Sequence, residues 1–229
     1  MIITSNKDLA MSFVIADILT PVELAALQEV MNQPALFTDG KATAGWQAGP
    51  RKRNLQADKA SPVVKGALRK VESALLKNPV FQSAARPRGI ASLLLSRYQS
   101  GMQYGTHVDD AMMAGQRTDL SFTLFLSAPE SYEGGELVVE RTDGESVFKP
   151  AAGHLVLYAS TALHRVEPVT RGVRFAAVGW VRSLIREEAQ RELLFDLDRA
   201  VELLRHGGDG ALDLILKTRG NLLRRWIED

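Results

Sequence analysis

His107 and Asp109 stand two residues apart in Tyr104-Gly105-Thr106-His107-Val108-Asp109. In an extended segment such residues project from one face, so an imidazole and a carboxylate would sit side by side. The pair can bind one cation, although taken alone it reads as readily as a hydrogen-bonded surface pair. His164, in Ala162-Leu163-His164-Arg165, is expected at the end of a strand far along the chain. Two histidines and one carboxylate on one octahedral face leave three positions open, as non-haem iron(II) oxygenases require. A structural zinc site would be closed by a fourth protein ligand. A zinc hydrolase is a further reading, but the chain has no His-Glu-x-x-His motif and that reading gives Arg174 no purpose.

Arg174 lies in Val173-Arg174-Phe175-Ala176-Ala177-Val178-Gly179-Trp180. Alternation puts Arg174, Ala176, Val178 and Trp180 on one face of a largely buried strand. A charge there requires an anion, and the guanidinium fork matches a carboxylate through two parallel hydrogen bonds. The other candidates read more plainly. His154 is a strand-edge residue, and His206 ends an amphipathic helix, where a cation suits the helix dipole. Gly134-Gly135 reads as a turn and Glu136 as a solvated strand residue. Arg51-Lys52-Arg53, with Trp46 nearby, reads as a solvated basic loop that could border a site mouth.

The positioning elements follow from the pattern. Thr20, Pro21 and Glu23 form a capping box that opens a helix running to about Met31. A polar stretch follows from Asp39 to Arg53, and Ser61-Pro62 opens a second helix with Val64, Leu68, Val71 and Leu75 on one face. Both helices are expected on one side of a sheet. From Ile90 the period shortens to strands: Ile90 to Tyr98, Leu120 to Leu126, Glu136 to Glu140, His154 to Tyr158 and Val173 to Val181. Short loops between them favour antiparallel neighbours in a barrel or jelly roll. After Ser183, Leu193, Leu194, Leu197, Val201 and Leu204 form a helical stripe before Gly207-Gly208, and a last helix runs from Gly210 to Trp226. These two are read as a pair docked on the same domain, with a dimer surface as the alternative.

Composition excludes several classes. With 45% apolar residues in 229, the chain can build a sizeable core. Its 28 basic and 27 acidic residues nearly cancel, so no global field favours nucleic acid or an anionic membrane. There is no cysteine, which removes disulfides, thiolate metal sites and a thiol nucleophile. The apolar stretch from Met11 to Ala16 is too short to span a membrane and lacks the flanks of a signal peptide, so the expected location is cytoplasmic. Met11 is also a candidate internal start.

The segment from about Tyr98 to Val181 resembles the prolyl-hydroxylase-like iron(II) and 2-oxoglutarate dioxygenases, and more narrowly the bacterial PKHD-type hydroxylases associated with iron uptake. The likeness rests on His107, Asp109, His164, Arg174, the run Arg117 to Ser127 and Gly134-Gly135-Glu136-Leu137. It extends to Asp39 to Gly45 and to the tail from Ser183. One departure is Ala159, where relatives are expected to carry proline. The resemblance implies an α+β chain with a mainly β core: a double-stranded β-helix, or jelly roll, with N-terminal flanking helices and a C-terminal helical appendage. The dioxygenase domain would cover 1–182 and the helical extension 183–229.

It further implies that His107, Asp109 and His164 hold Fe(II), that Arg174 and Tyr98 bind 2-oxoglutarate, and that L-ascorbate is a candidate accessory cofactor. Tyr104 is a weaker candidate. The implied reaction consumes 2-oxoglutarate and dioxygen, yields succinate and CO2, and hydroxylates an unidentified substrate. A homo-oligomer through the C-terminal helices is a candidate assembly. The alternative is a non-catalytic protein that binds or senses iron or 2-oxoglutarate on the same barrel.

Overall fold

The structure is a computed structural model that describes residues 2–3, 12–43, 49–142, 144–205 and 210–228. Met11, Trp46 and His206, which the sequence singled out, lie outside the described residues.

The chain opens with strands β1 (Ile2–Ile3) and β2 (Phe13–Ile15), then helix α1 (Pro21–Met31). The capping box is present: the Glu23 amide donates to the Thr20 hydroxyl, and the Glu23 carboxylate accepts from the Thr20 amide. Short strands β3 (Phe37–Asp39), β4 (Lys52–Arg53) and β5 (Leu55–Ala57) precede α2 (Pro62–Lys77) and α3 (Pro79–Ala85). The strand-rich middle comprises β6 (Pro87–Tyr98), β7 (Gln103–His107), the small hairpin of β8 (Met112–Met113) and β9 (Gln116–Arg117), and β10 (Leu120–Phe125). It continues with β11 (Tyr132–Gly134), β12 (Leu137–Arg141), β13 (Gly144–Phe148), β14 (Leu155–Ala159), β15 (His164–Val166), β16 (Val169–Gly172) and β17 (Arg174–Ser183). Helices α4 (Glu188–Leu204) and α5 (Gly210–Trp226) follow.

Two antiparallel sheets carry the fold. The larger runs β1-β2-β14-β10-β17-β6-β5-β3, and the smaller runs β13-β12-β15-β7-β4. Side-chain alternation divides the work of the large sheet. Leu95, Phe122, Leu124, Leu157 and Ala177 face the helical layer, where Leu27, Val64, Val71, Leu75 and Phe81 complete the main core. The opposite face meets the smaller sheet, with Phe125, Val156 and Tyr158 packing on Leu137 and Val139. This is the expected jelly roll, with helices on one outer face.

Three features differ from the sequence reading. Helix α3 was not anticipated, although Asn78-Pro79 is a cap followed by proline in the first turn, and the Asn78 side chain accepts from the Phe81 amide. His164 opens β15 rather than closing the preceding strand, because a turn separates β14 from it. The basic stretch at 51–53 is partly strand: β4 pairs with β7 in the smaller sheet. At the C-terminal end, Asp198 of α4 takes hydrogen bonds from Ser83 of α3, from Arg86 just after it and from Arg219 of α5. Among the described residues no helix is long and apolar enough to cross a membrane.

Candidate metal centre and its cavity

β7 and β15 pair so that His107 and His164 are direct cross-strand partners. That register brings together two histidines distant in sequence, with ring centroids 4.2 Å apart. Asp109 follows just beyond β7, and its two carboxylate oxygens lie 3.9 Å from His107 Nε2 and 3.6 Å from His164 Nε2. All three ligand atoms fall within 4.8 Å of one another.

Hydrogen bonds orient the three side chains. His107 Nδ1 lies 2.9 Å from the Gly105 carbonyl, and His164 Nδ1 lies 3.1 Å from the Ala162 carbonyl. A carbonyl only accepts, so each ring carries its proton on Nδ1 and presents an Nε2 lone pair to the common point. Asp109 Oδ2 accepts from Ser121 Oγ at 2.6 Å, and Ser121 is bonded in turn to Ser160 at 2.8 Å. Tyr104 stacks on His107 with centroids 3.6 Å apart. Burial and the neighbouring His164 push the His107 imidazolium down to about 4, against the pull of Asp109, so the ring is neutral at physiological pH. The donor set is two imidazoles and one carboxylate, with no fourth ligand in the group among the described residues, which fits an open iron(II) site.

The triad opens into a cavity of about 430 Å³ between the two sheets. At its inner end β17 and β6 pair Arg174 with Tyr98. Arg174 is 1% exposed, its guanidinium lies 5.2 Å from the Tyr98 ring and 5.0 Å from that of Phe125, and its Nε and Nη2 have no hydrogen-bond partner among the described residues. A buried cation with orphaned donors is expensive unless an anion meets it. The cavity therefore has a built place for a carboxylate, which fits 2-oxoglutarate. Tyr98 is buried beside it, its hydroxyl accepting from Asn54 Nδ2 at 3.1 Å, and burial raises its pKa, so it is a neutral phenol with its proton to give.

Gly135 proves to be more than a turn residue. It has φ +69, and a Cβ there would lie 3.0 Å from Arg174 Cδ and 2.9 Å from Val169 Cγ2. The glycine makes room for the arginine. Glu136 accepts from Lys149 at 3.4 Å, and His154 does not line the cavity.

Sequence reasoning assigned no role to Asn54, Ser121, Ser160, Thr123 or Tyr158, although Asn54, Thr123 and Tyr158 line the cavity and the two serines brace Asp109. It also placed Lys52 in a solvated loop. Opposite Tyr104 across β4 and β7, Lys52 is instead 5% exposed and lines the cavity, with its ammonium 5.1 Å from the Tyr104 ring. Burial lowers its pKa to about 8, opposed by Asp109 and Asp39.

A family model for the 2OG-Fe(II) oxygenase superfamily matches residues 93–182. The chain is 51% identical to a PKHD-type hydroxylase of Acaryochloris marina, over 95% of this chain and 100% of that protein. It is 53% identical to a PKHD-type hydroxylase of Parvibaculum lavamentivorans, over 94% of this chain and 98% of that one. Among solved structures, a Pseudomonas putida prolyl-4-hydroxylase superposes with a TM-score of 0.56 at 20% identity, covering 76% of this chain and 93% of that one. A Trichoplax adhaerens prolyl hydroxylase, solved with a hypoxia-inducible-factor peptide fragment, gives 0.54 at 17% identity, covering 80% and 86%. These two structural likenesses speak to the double-stranded β-helix fold.

Proposed function

The chain belongs to the PKHD-type hydroxylases of the 2OG-Fe(II) oxygenases, and from that premise we propose that His107, Asp109 and His164 hold iron(II) while Arg174 and Tyr98 receive the far carboxylate of 2-oxoglutarate. The observation that carries this reading is Arg174: a buried guanidinium with two orphaned nitrogens, lining the same cavity as the triad. A binding protein for metal alone has no need of it.

When bound, iron(II) with 2-oxoglutarate and dioxygen supplies an oxidant for C–H hydroxylation, releasing succinate and CO2. The protein's own part is positional. The two Nδ1-to-carbonyl hydrogen bonds and the Ser121–Asp109 bond hold the three side chains toward one point, where they would bind the metal and leave its remaining positions to the cosubstrate and dioxygen. Arg174 neutralises the far carboxylate, and the Tyr98 hydroxyl, held by Asn54, donates to it. Tyr158, Leu137 and Val166 wall the inner cavity and exclude water.

The family resemblance extends the proposal to a cytoplasmic role in iron uptake, with L-ascorbate as accessory reductant. Apolar residues left exposed on the helical tail, Leu203 and Leu214 among them, support self-association there. The test of the central reading is anaerobic reconstitution with iron(II), followed by measurement of succinate formed from 2-oxoglutarate on admitting oxygen. Succinate at even a slow uncoupled rate is expected. Tight binding of both iron and 2-oxoglutarate without succinate would instead establish a non-catalytic sensor.

A further inference from the structure

The cavity is longer than a cosubstrate requires. Along β6, alternation sets Tyr98, Ser96, Leu94 and Ser92 on the cavity face, and β17 matches them with Arg174 opposite Tyr98 and Trp180 opposite Ser92. Six residues of strand separate the two ends, about 20 Å. Ser121, which braces Asp109, lies opposite Trp180 on the other flank of β17. Ser92 is thus two strand spacings, roughly 10 Å, to one side of the strand that supports the metal site. A five-carbon dicarboxylate running from the triad to Arg174 leaves this lateral chamber for another molecule.

The chemistry of the chamber is specific. Its floor is apolar, with Leu94 and Trp180 packed against Val178 and Met113. At its far side, the exposed Lys59 stands at the mouth and donates to Ser92 Oγ at 3.1 Å, and Trp180, 8% exposed, has a buried Nε1 with no hydrogen-bond partner among the described residues. An ammonium and an indole N–H only donate, so this end is complementary to a group that only accepts. Charge agrees. Beyond Arg174, the described cations lining the cavity are Arg51, Lys52 and Lys59, whereas the acids are Asp109 and Asp110. Ferrous iron, Asp109, Arg174 and doubly ionised 2-oxoglutarate together are neutral, so the loaded site leaves a net positive outer chamber.

Resting on the dioxygenase reading above, we propose that the primary substrate is a carboxylate with an aliphatic stem, its carboxylate held between Lys59 and Trp180 and its stem lying over Leu94 and Val178 toward the triad.

The test uses a matched pair of probes on the full-length protein loaded with 2-oxoglutarate and zinc(II), a redox-silent stand-in for iron. Hexanoate and its neutral isostere hexanamide are titrated while the indole ¹⁵N–¹H resonance of Trp180, identified through Trp180→Phe, is followed. Hexanoate is expected to shift that resonance and to bind on the order of tenfold more tightly than hexanamide. Lys59→Gln and Lys59→Glu are expected to erase the preference while leaving 2-oxoglutarate affinity unchanged. The proposal is overturned if neither probe moves the resonance, if hexanamide binds equally well, if the preference survives both variants, or if hexanoate acts only by displacing 2-oxoglutarate. Because this measurement involves no turnover, a protein that forms succinate but shows no anion preference fails the substrate proposal alone. One that shows the preference but forms no succinate fails the dioxygenase reading alone.

Discussion

Replacing Arg174 by methionine should move two measurements in opposite directions. In the metal-free protein the guanidinium is 1% exposed and two of its nitrogens lack partners. Exchanging such a buried charge for an apolar side chain of similar length is expected to stabilise by about 1–4 kcal/mol. For a chain of this size each kcal/mol corresponds to about 2–4 °C in Tm. The methionine stem can lie between the same rings of Tyr98 and Phe125 that now flank the guanidinium. In the loaded protein the sign reverses. Removing one partner of a buried, hydrogen-bonded charge pair costs about 2–5 kcal/mol, so the 2-oxoglutarate Kd should rise about 30- to 5,000-fold. Differential scanning calorimetry in chelator reads the first effect, and anaerobic calorimetric titration of the metal-loaded protein reads the second. Near-native 2-oxoglutarate affinity in Arg174→Met would falsify the placement of the cosubstrate. A large fall in the Tm of the metal-free variant would show instead that the arginine is a structural strut.

Removing the brace on the carboxylate, Ser121→Ala, should weaken iron binding by about 10- to 100-fold without unfolding the chain, as measured by competition with a chelator. Gly135→Ala puts a Cβ 3.0 Å from Arg174 Cδ at φ +69, so it should cost about 1–3 kcal/mol in denaturant unfolding and weaken 2-oxoglutarate more than iron. Stability of the metal-free protein should fall on acidification. His107 titrates near 4 when folded but near 6.5 when unfolded, so the unfolded chain binds the extra proton between those values. The neutral ring's contribution is complete above about pH 6.5 and is lost as pH falls through about 4, amounting to about 3 kcal/mol. Thermal unfolding in chelator across that range checks it, and His107→Gln should flatten the slope; an unchanged slope refutes the assignment.

How far the sequence discloses the site depends on whether a residue acts through its own type or through its neighbours. His107, Asp109, His164 and Arg174 are legible because imidazole, carboxylate and buried guanidinium each suggest a ligand. What the chain cannot display is the register that makes His107 and His164 cross-strand partners. Lys52 shows the limit. Between Arg51 and Arg53 it looks like part of a solvated cluster, and only the pairing of β4 with β7 decides that its side chain turns inward. The fold divides the same way. Helix α2 is legible from its apolar face, whereas β13 alternates mostly exposed and half-buried positions and offers no apolar period.

Strand β10 carries a signal that apolar patterning alone passes over. All six residues from Leu120 to Phe125 are buried, which suits a strand covered on both faces. Within that run Ser121 and Thr123 alternate with Leu120, Phe122 and Leu124. A buried hydroxyl left unsatisfied costs about 1–3 kcal/mol, so two of them on one face of a covered strand imply a polar interior facing them. The structure supplies it: Ser121 bonds Asp109 and Ser160, and Thr123 lines the cavity. The same period continues across the sheet through Arg174, Val178 and Trp180 on β17 and Ser92, Ser96 and Tyr98 on β6. Polar residues recurring every second position inside otherwise apolar strands therefore trace the cavity wall, from the Arg174 end to the Lys59 and Trp180 end. Neither end needs a ligand to be recognised, because Arg174 at one and Trp180 at the other keep buried donors that no described residue satisfies.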